Sequence, residues 1–257
     1  MKKCEEIKNK KIKDILTTQD ILESNENTQL ENLIKKEVFN IKLQENNPID
    51  FKKLGIQLKV TGLIKYKKPD NEVRKYKAKE IISLGTISEQ TILDEPNFEK
   101  SALYKQIQKT LYVFYEYRYD KPMSKWKIID FKYVELDVSS NIKTLVDDYE
   151  LIRSKIKKGK IEDLTHSSTE ELSIAISKST EAILEGSLVS REFLLKPNYI
   201  NKIFYSEGIK ASESDLMLYI VSRVKPFHGL TIGEIYNEMQ LPVLRLKIKK
   251  MPLLINY

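Results

Sequence analysis

Two runs, TLYVFYEYRY at Thr110–Tyr119 and WKIIDFKYVEL at Trp126–Leu136, constrain this chain more than any other feature. Both are dense in β-branched and aromatic residues, which suit a pleated, half-buried surface and lose rotamer freedom in a helix. The DKPMS stretch between them carries turn chemistry, so two strands joined by a turn are predicted. Their apolar face needs a cover, and helical periodicity supplies candidates on both sides. Leu30, Leu33, Ile34 and Val38 recur at helical spacing within a predicted helix Gln29–Phe39, and another helix is predicted over Cys4–Leu16. After the strand pair, Leu145, Tyr149, Ile152 and Ile156 define one face of a helix over Asn141–Lys158.

Other segments extend this pattern. IQLKVTGLI alternates as a strand, and KPDN at 68–71 offers a turn into a second strand over Tyr76–Leu84. A short strand is predicted at Leu172–Ile176. Beyond Pro197 the chain reads as helical through YINKIFYSEG, SESDLMLYIVSRV and TIGEIYNEM, while the terminal RLKIKKMPLLINY takes no assignment. Helix, strands, helix, strand, helices implies a mixed α/β fold, of the α+β kind, with a largely antiparallel central sheet flanked by helices. No internal repeat or low-complexity tract interrupts it.

At 257 residues, with 41% hydrophobic and 32% charged residues, the chain is long and apolar enough for a large core and unlike a disordered protein. A formal charge of +7 and a pI near 9.1 favour an anionic partner, nucleic acid first, although an AT-rich genome also enriches lysine. The lone Cys4 excludes an internal disulfide, and His166 and His228 are too isolated for a histidine metal centre. Without an apolar leader or a long apolar stretch, a cytoplasmic protein with no membrane partner is expected.

The chemistry concentrates in NNPIDFKKLGIQLKV, residues 46–60. Asp50 precedes a strand on which Gln57 and Lys59 stand at i and i+2, hence on one face. Cutting a phosphodiester with Mg²⁺ requires carboxylates to hold that hard cation, and a lysine to orient water and stabilise developing charge. Here one of the strand positions is an amide.

NNPIDFKKLGIQLKVT resembles the signature of the MutH family, which includes the GATC-specific mismatch-repair endonuclease and the Sau-type restriction endonucleases within the PD-(D/E)XK nuclease class. NFEKSALYKQIQKTLYVFYEY, IRSKIKKGKIEDLTHSSTEELSIAISKST and REFLLKPNYINKIF are similar to later family segments, in order, so that the resemblance is strongest over residues 30–205. It implies one MutH-like nuclease-fold domain over residues 1–257, with two lobes around a DNA cleft and a helical C-terminal part from residue 206.

The resemblance also implies a degenerate site. Asp50 and Lys59 match the catalytic set; Lys35 replaces a helix glutamate, Gln57 the second strand carboxylate, and Gln106 an additional lysine. Should the first helix align differently, Glu31 or Glu37 supplies the carboxylate, and Lys105 the lysine. Counted as Lys35, Asp50 and Lys59, the site has turned from negative to +1 and should refuse a divalent cation while favouring phosphate. Lys178 matches a DNA-contacting position, and Lys35, Lys59, Arg191 and Lys196 are further DNA-binding candidates. Lys65, Tyr66, Lys67, Lys68, Arg74 and Lys75 cluster around one turn as a solvated run or a backbone clamp.

The expected function is therefore non-cutting duplex binding at GATC, as an effector within a type II restriction system. The partner would be a cutting copy of the same fold or a second copy of this chain. No cofactor is expected, with at most Asp50 available to a metal. The alternative is an active Mg²⁺-dependent GATC endonuclease with an atypical site.

Overall fold

The computed structural model describes residues 2–17, 29–42, 49–66, 75–136, 142–165, 167–176 and 190–206. Strand β1 (Gln57–Tyr66) lies between β4 (Lys109–Glu116) and β2 (Lys75–Ala78), and β5 (Lys127–Glu135) completes a four-stranded sheet in the order β2-β1-β4-β5. β1 and β4 are parallel, with Gln57 opposite Thr110 and Leu63 opposite Glu116, while the other pairs are antiparallel. A parallel pair needs a long crossover. Here it contains β2, then β3 (Ile82–Ser88), α3 (Glu89–Asp94) and α4 (Ala102–Ile107). β3 joins β7 (Ser190–Leu195) and β6 (Leu172–Ile176) in a second, antiparallel sheet of order β3-β7-β6.

One apolar core serves both sheets. Leu63, Tyr112 and Phe114 of the first and Leu84, Phe193 and Leu195 of the second are buried together. Helix α5 (Lys143–Lys157) adds Leu145, Tyr149, Ile152 and Ile156, the stripe its periodicity predicts, and α6 (Pro197–Tyr205) adds Tyr199, Ile200 and Ile203. The result is a mixed α/β fold whose sheets are flanked by helices. The chain divides into two units, Met1–Ala211 and Ser212–Tyr257. The second unit, with its two predicted helices, lies outside the described residues, as does the KPDN turn.

Three expectations change. The predicted Cys4–Leu16 helix ends early: α1 spans Lys2–Ile7, and Asn9 takes φ 65°. Asparagine tolerates that left-handed conformation, and the reversal lets Ile12 N–H reach the Trp126 carbonyl at 2.9 Å, along the edge of β5. The single strand expected over Tyr76–Leu84 is two strands, β2 and β3, in different sheets. β2 ends after Ala78, with Lys79 N–H still donating to the Gly62 carbonyl of β1 at 2.9 Å, and β3 begins at Ile82. β7 was not foreseen, although Arg191, Phe193 and Leu195 alternate inward as a strand should.

Candidate functional site

Helix α2 (Leu30–Leu33) continues directly into a π turn, Ile34–Val38. Glu31 and Lys35 thus stand at i and i+4 on one face, and Lys35 Nζ contacts Glu31 Oε1 at 2.7 Å. Asp50 arrives from the other side. The turn Lys52–Gly55, with Gly55 at φ 65°, is closed by Phe51 N–H donating to the Ile56 carbonyl at 2.9 Å. Only a residue that accepts a left-handed backbone fits there, hence glycine. This fold-back brings Asp50 Oδ1 to 3.1 Å from the same Lys35 Nζ.

The other oxygen of each carboxylate holds the backbone. From Gln57 to Leu63, β1 has β4 on one side, and β2 joins the other side only from Leu63 onward. N–H groups two residues apart point to the same edge of a strand. Leu58 N–H donates to Asp50 Oδ2 at 2.7 Å, and Val60 N–H to Glu31 Oε2 at 3.1 Å. All four carboxylate oxygens are therefore engaged by this chain's own donors: two by one ammonium, two by the strand edge. Hydrogen bonds to charged groups contribute about 1.5–3 kcal/mol net, so the site is structural as well as electrostatic.

Burial sets the protonation behaviour. It pulls the Lys35 amine down, but Glu31 and Asp50 outweigh it and hold its pKa above the ordinary lysine value. Burial raises the Asp50 carboxyl against the opposing pull of the Leu58 N–H and Lys35. The half-buried Lys59 donates to the Ser83 carbonyl at 2.9 Å. Its pKa is lowered, first by burial, with Lys35 adding to the effect while Glu31 and Asp50 oppose it.

The structure thus brings Lys35 and Asp50 into contact, and Lys59 feels the charges of both. It also adds Glu31, which the sequence offered only under a shifted alignment. This corrects the charge count: Glu31, Asp50, Lys35 and Lys59 sum to zero, so the site is neutral where +1 was expected. Glu37 is elsewhere, accepting from Thr17 N–H at 2.7 Å. Gln57 is 3% exposed and its Oε1 is buried without a hydrogen-bond partner; Gln106 Oε1 is in the same condition. Lys105 is exposed.

Arg191 and Lys196 are buried. Arg191 pairs with Glu89 at 2.6 Å, and Lys196 Nζ donates to the Thr169 carbonyl. Lys178, His166 and His228 lie outside the described residues, as do Lys67, Lys68 and Arg74. At the described end of that basic cluster, Lys65 is paired with Glu116 at 2.8 Å.

A divalent cation does not fit the site as it stands. Its carboxylate oxygens already serve Lys35 and two N–H groups, and no cluster of three or more His, Cys, Asp or Glu suited to a metal occurs among the described residues.

Residues 39–148 match the family model of the DNA mismatch repair enzyme MutH. The mixed α/β architecture, with its mixed and antiparallel sheets flanked by helices, is consistent with a MutH-like nuclease fold. The matched stretch takes in Asp50, Gln57, Lys59 and Gln106; Glu31 and Lys35 precede it. No curated protein matches the chain. No helix among the described residues is long and apolar enough to cross a membrane.

Proposed function

We propose that this chain binds duplex DNA at GATC without cutting it, as an effector in a type II restriction system beside a cutting copy of the fold or a second copy of itself. One observation carries the non-cutting part: a lysine ammonium bridges the two carboxylates, Glu31 and Asp50, between which a nuclease of this class would hold its metal. A neutral site no longer attracts a divalent cation and no longer repels a phosphate. The MutH likeness supports DNA as the ligand, and the basic chain supports affinity for its backbone. GATC rests on the resemblance of the sequence to its family.

A second reading has Glu31 in its favour. With Glu31 and Asp50 on one strand edge and the Oε1 of Gln57, on the same strand, unpartnered, withdrawal of Lys35 would free carboxylate oxygens for Mg²⁺ in an active endonuclease. Supercoiled plasmid incubated with Mg²⁺ or Mn²⁺, alongside binding to GATC and scrambled duplexes, separates the two. The expected result is no nicking and tighter binding to GATC. Nicking at GATC establishes the second reading. Equal affinity for both duplexes removes GATC but keeps backbone binding, and no affinity for either ends both.

A further inference from the structure

The outer edge of the four-stranded sheet carries a basic strip that the site does not use. Residues 9–12 extend the sheet beyond β5: Ile12 N–H donates to the Trp126 carbonyl at 2.9 Å, and Ile128 N–H to the Lys10 carbonyl at 3.0 Å. These bonds flank Lys11 and Lys127, which face each other as an antiparallel bridge. The pair itself is not hydrogen-bonded, the arrangement that brings opposing side chains closest. Both lysines are exposed, and like charges directly opposite destabilise a sheet. The stretches IKNKKIK (7–13) and KPMSKWKII (121–129) hold seven lysines and no carboxylate. Of the flanking acids, Asp130 is taken by Lys8 at 2.7 Å, Asp120 by Arg118 at 3.1 Å, and Glu116, opposite Lys127, by Lys65 at 2.8 Å; Glu5, Glu6 and Asp14 have no ion pair among the described residues and offset part of the strip's charge.

We propose that this edge is a second contact for the phosphate backbone of duplex DNA, made by Lys10, Lys11, Lys125 and Lys127. It rests on the duplex-binding reading above and widens the footprint. Strand register puts Lys11 and Lys127 on the same sheet face as Lys59. Lys59 and Leu63 share a face of β1, Leu63 pairs with Glu116, Glu116 with Lys127, and Lys127 with Lys11. Three strand spacings across and four residues along separate the strip from Lys59 by roughly 20 Å. That is about six base-pair steps at ~3.4 Å each; Leu63, Tyr112 and Phe114 on that face are packed in the core, so the strip is a contact at the sheet's outer edge. Lysines on flexible stems suit phosphates rather than base edges, so this contact adds affinity without sequence preference.

The test is the salt dependence of duplex affinity for three full-length proteins: wild type, Lys11→Gln/Lys127→Gln, and a charge-matched control, Lys100→Gln/Lys157→Gln. Losing two phosphate contacts should make the slope of log K against log salt shallower by about 1.8, with the control close to wild type. Equal slopes for the two variants overturn the proposal and leave the lysines as guards against edge-to-edge strand pairing. A shallower slope on single-stranded RNA alone also overturns it, assigning the edge to another polyanion. Wild type failing to bind any duplex sinks the underlying function as well, a distinct result.

Discussion

Lys35 ties a helix to a turn by pairing with both Glu31 and Asp50. Removing one partner from a buried charge pair costs about 3–5 kcal/mol, because the remaining charge is stranded. Asp50 is nearly buried, but Glu31 keeps about a quarter of its side-chain surface, so Lys35→Met should destabilise by about 3 kcal/mol, the low end. Denaturant unfolding measures this. Adding Mg²⁺ or Ca²⁺ should then raise the melting temperature of the variant and leave wild type unmoved.

The difference between the two proteins also has a pH signature. The folded state binds the Lys35 proton more tightly than the unfolded chain does, so the stabilisation is complete below about pH 10.5, the ordinary lysine value, and drains away as pH rises beyond it. A difference that grew above pH 10.5 would contradict the pairing. At this scale the sequence was partly legible. Asp50 and Lys59 were readable as polar residues gathered about one strand, and the i, i+4 spacing of Glu31 and Lys35 was in plain view. Their attachment to the Leu58 and Val60 N–H groups was not, because it depends on which edge of β1 lacks a neighbouring strand.

Among the elements, β1 binds site to scaffold, and its glycine has a definite reason. A Cβ on Gly62 would lie 3.0 Å from the Tyr115 ring on the paired strand β4. Tyr115 has little room to yield. Its ring stacks on Trp126 with centroids 5.3 Å apart and planes 7° from parallel, and its hydroxyl lies 3.3 Å from Glu80 Oε1. Gly62→Ala is therefore expected to cost about 1–3 kcal/mol by overpacking, read as a lower denaturation midpoint with an unchanged m-value. An unchanged midpoint would mean that the stack shifts without penalty.

The strands and helices that the sequence displayed best, β4, β5, β6 and α5, carry strong periodicity over their own length. β7 was hidden because its inward residues, Arg191 among them, include a charged side chain made tolerable inside by Glu89 and Glu162. The residue 9–12 edge was hidden because lysines dominate it and its partner β5 is remote in sequence.

At the scale of the whole molecule, the parallel β1–β4 pair and the division of seven described strands between two sheets are long-range facts that no local pattern announces. Charge is also distributed beyond what a net +7 conveys. Part of it is internal, with Lys35, Arg191 and Lys196 buried, and part is exposed along the Lys10–Lys127 edge. The duplex-binding surface proposed above uses cations that belong to the chain itself. Duplex affinity should accordingly be indifferent to chelation: at constant ionic strength, EDTA in place of ~1 mM Mg²⁺ should change Kd by less than about twofold. A metal-bridged complex behaves oppositely, because its phosphate contact disappears with the ion. Fluorescence anisotropy with a GATC duplex distinguishes them, and a tenfold loss of affinity in EDTA, about 1.4 kcal/mol, would show that a divalent ion displaces Lys35 when DNA binds.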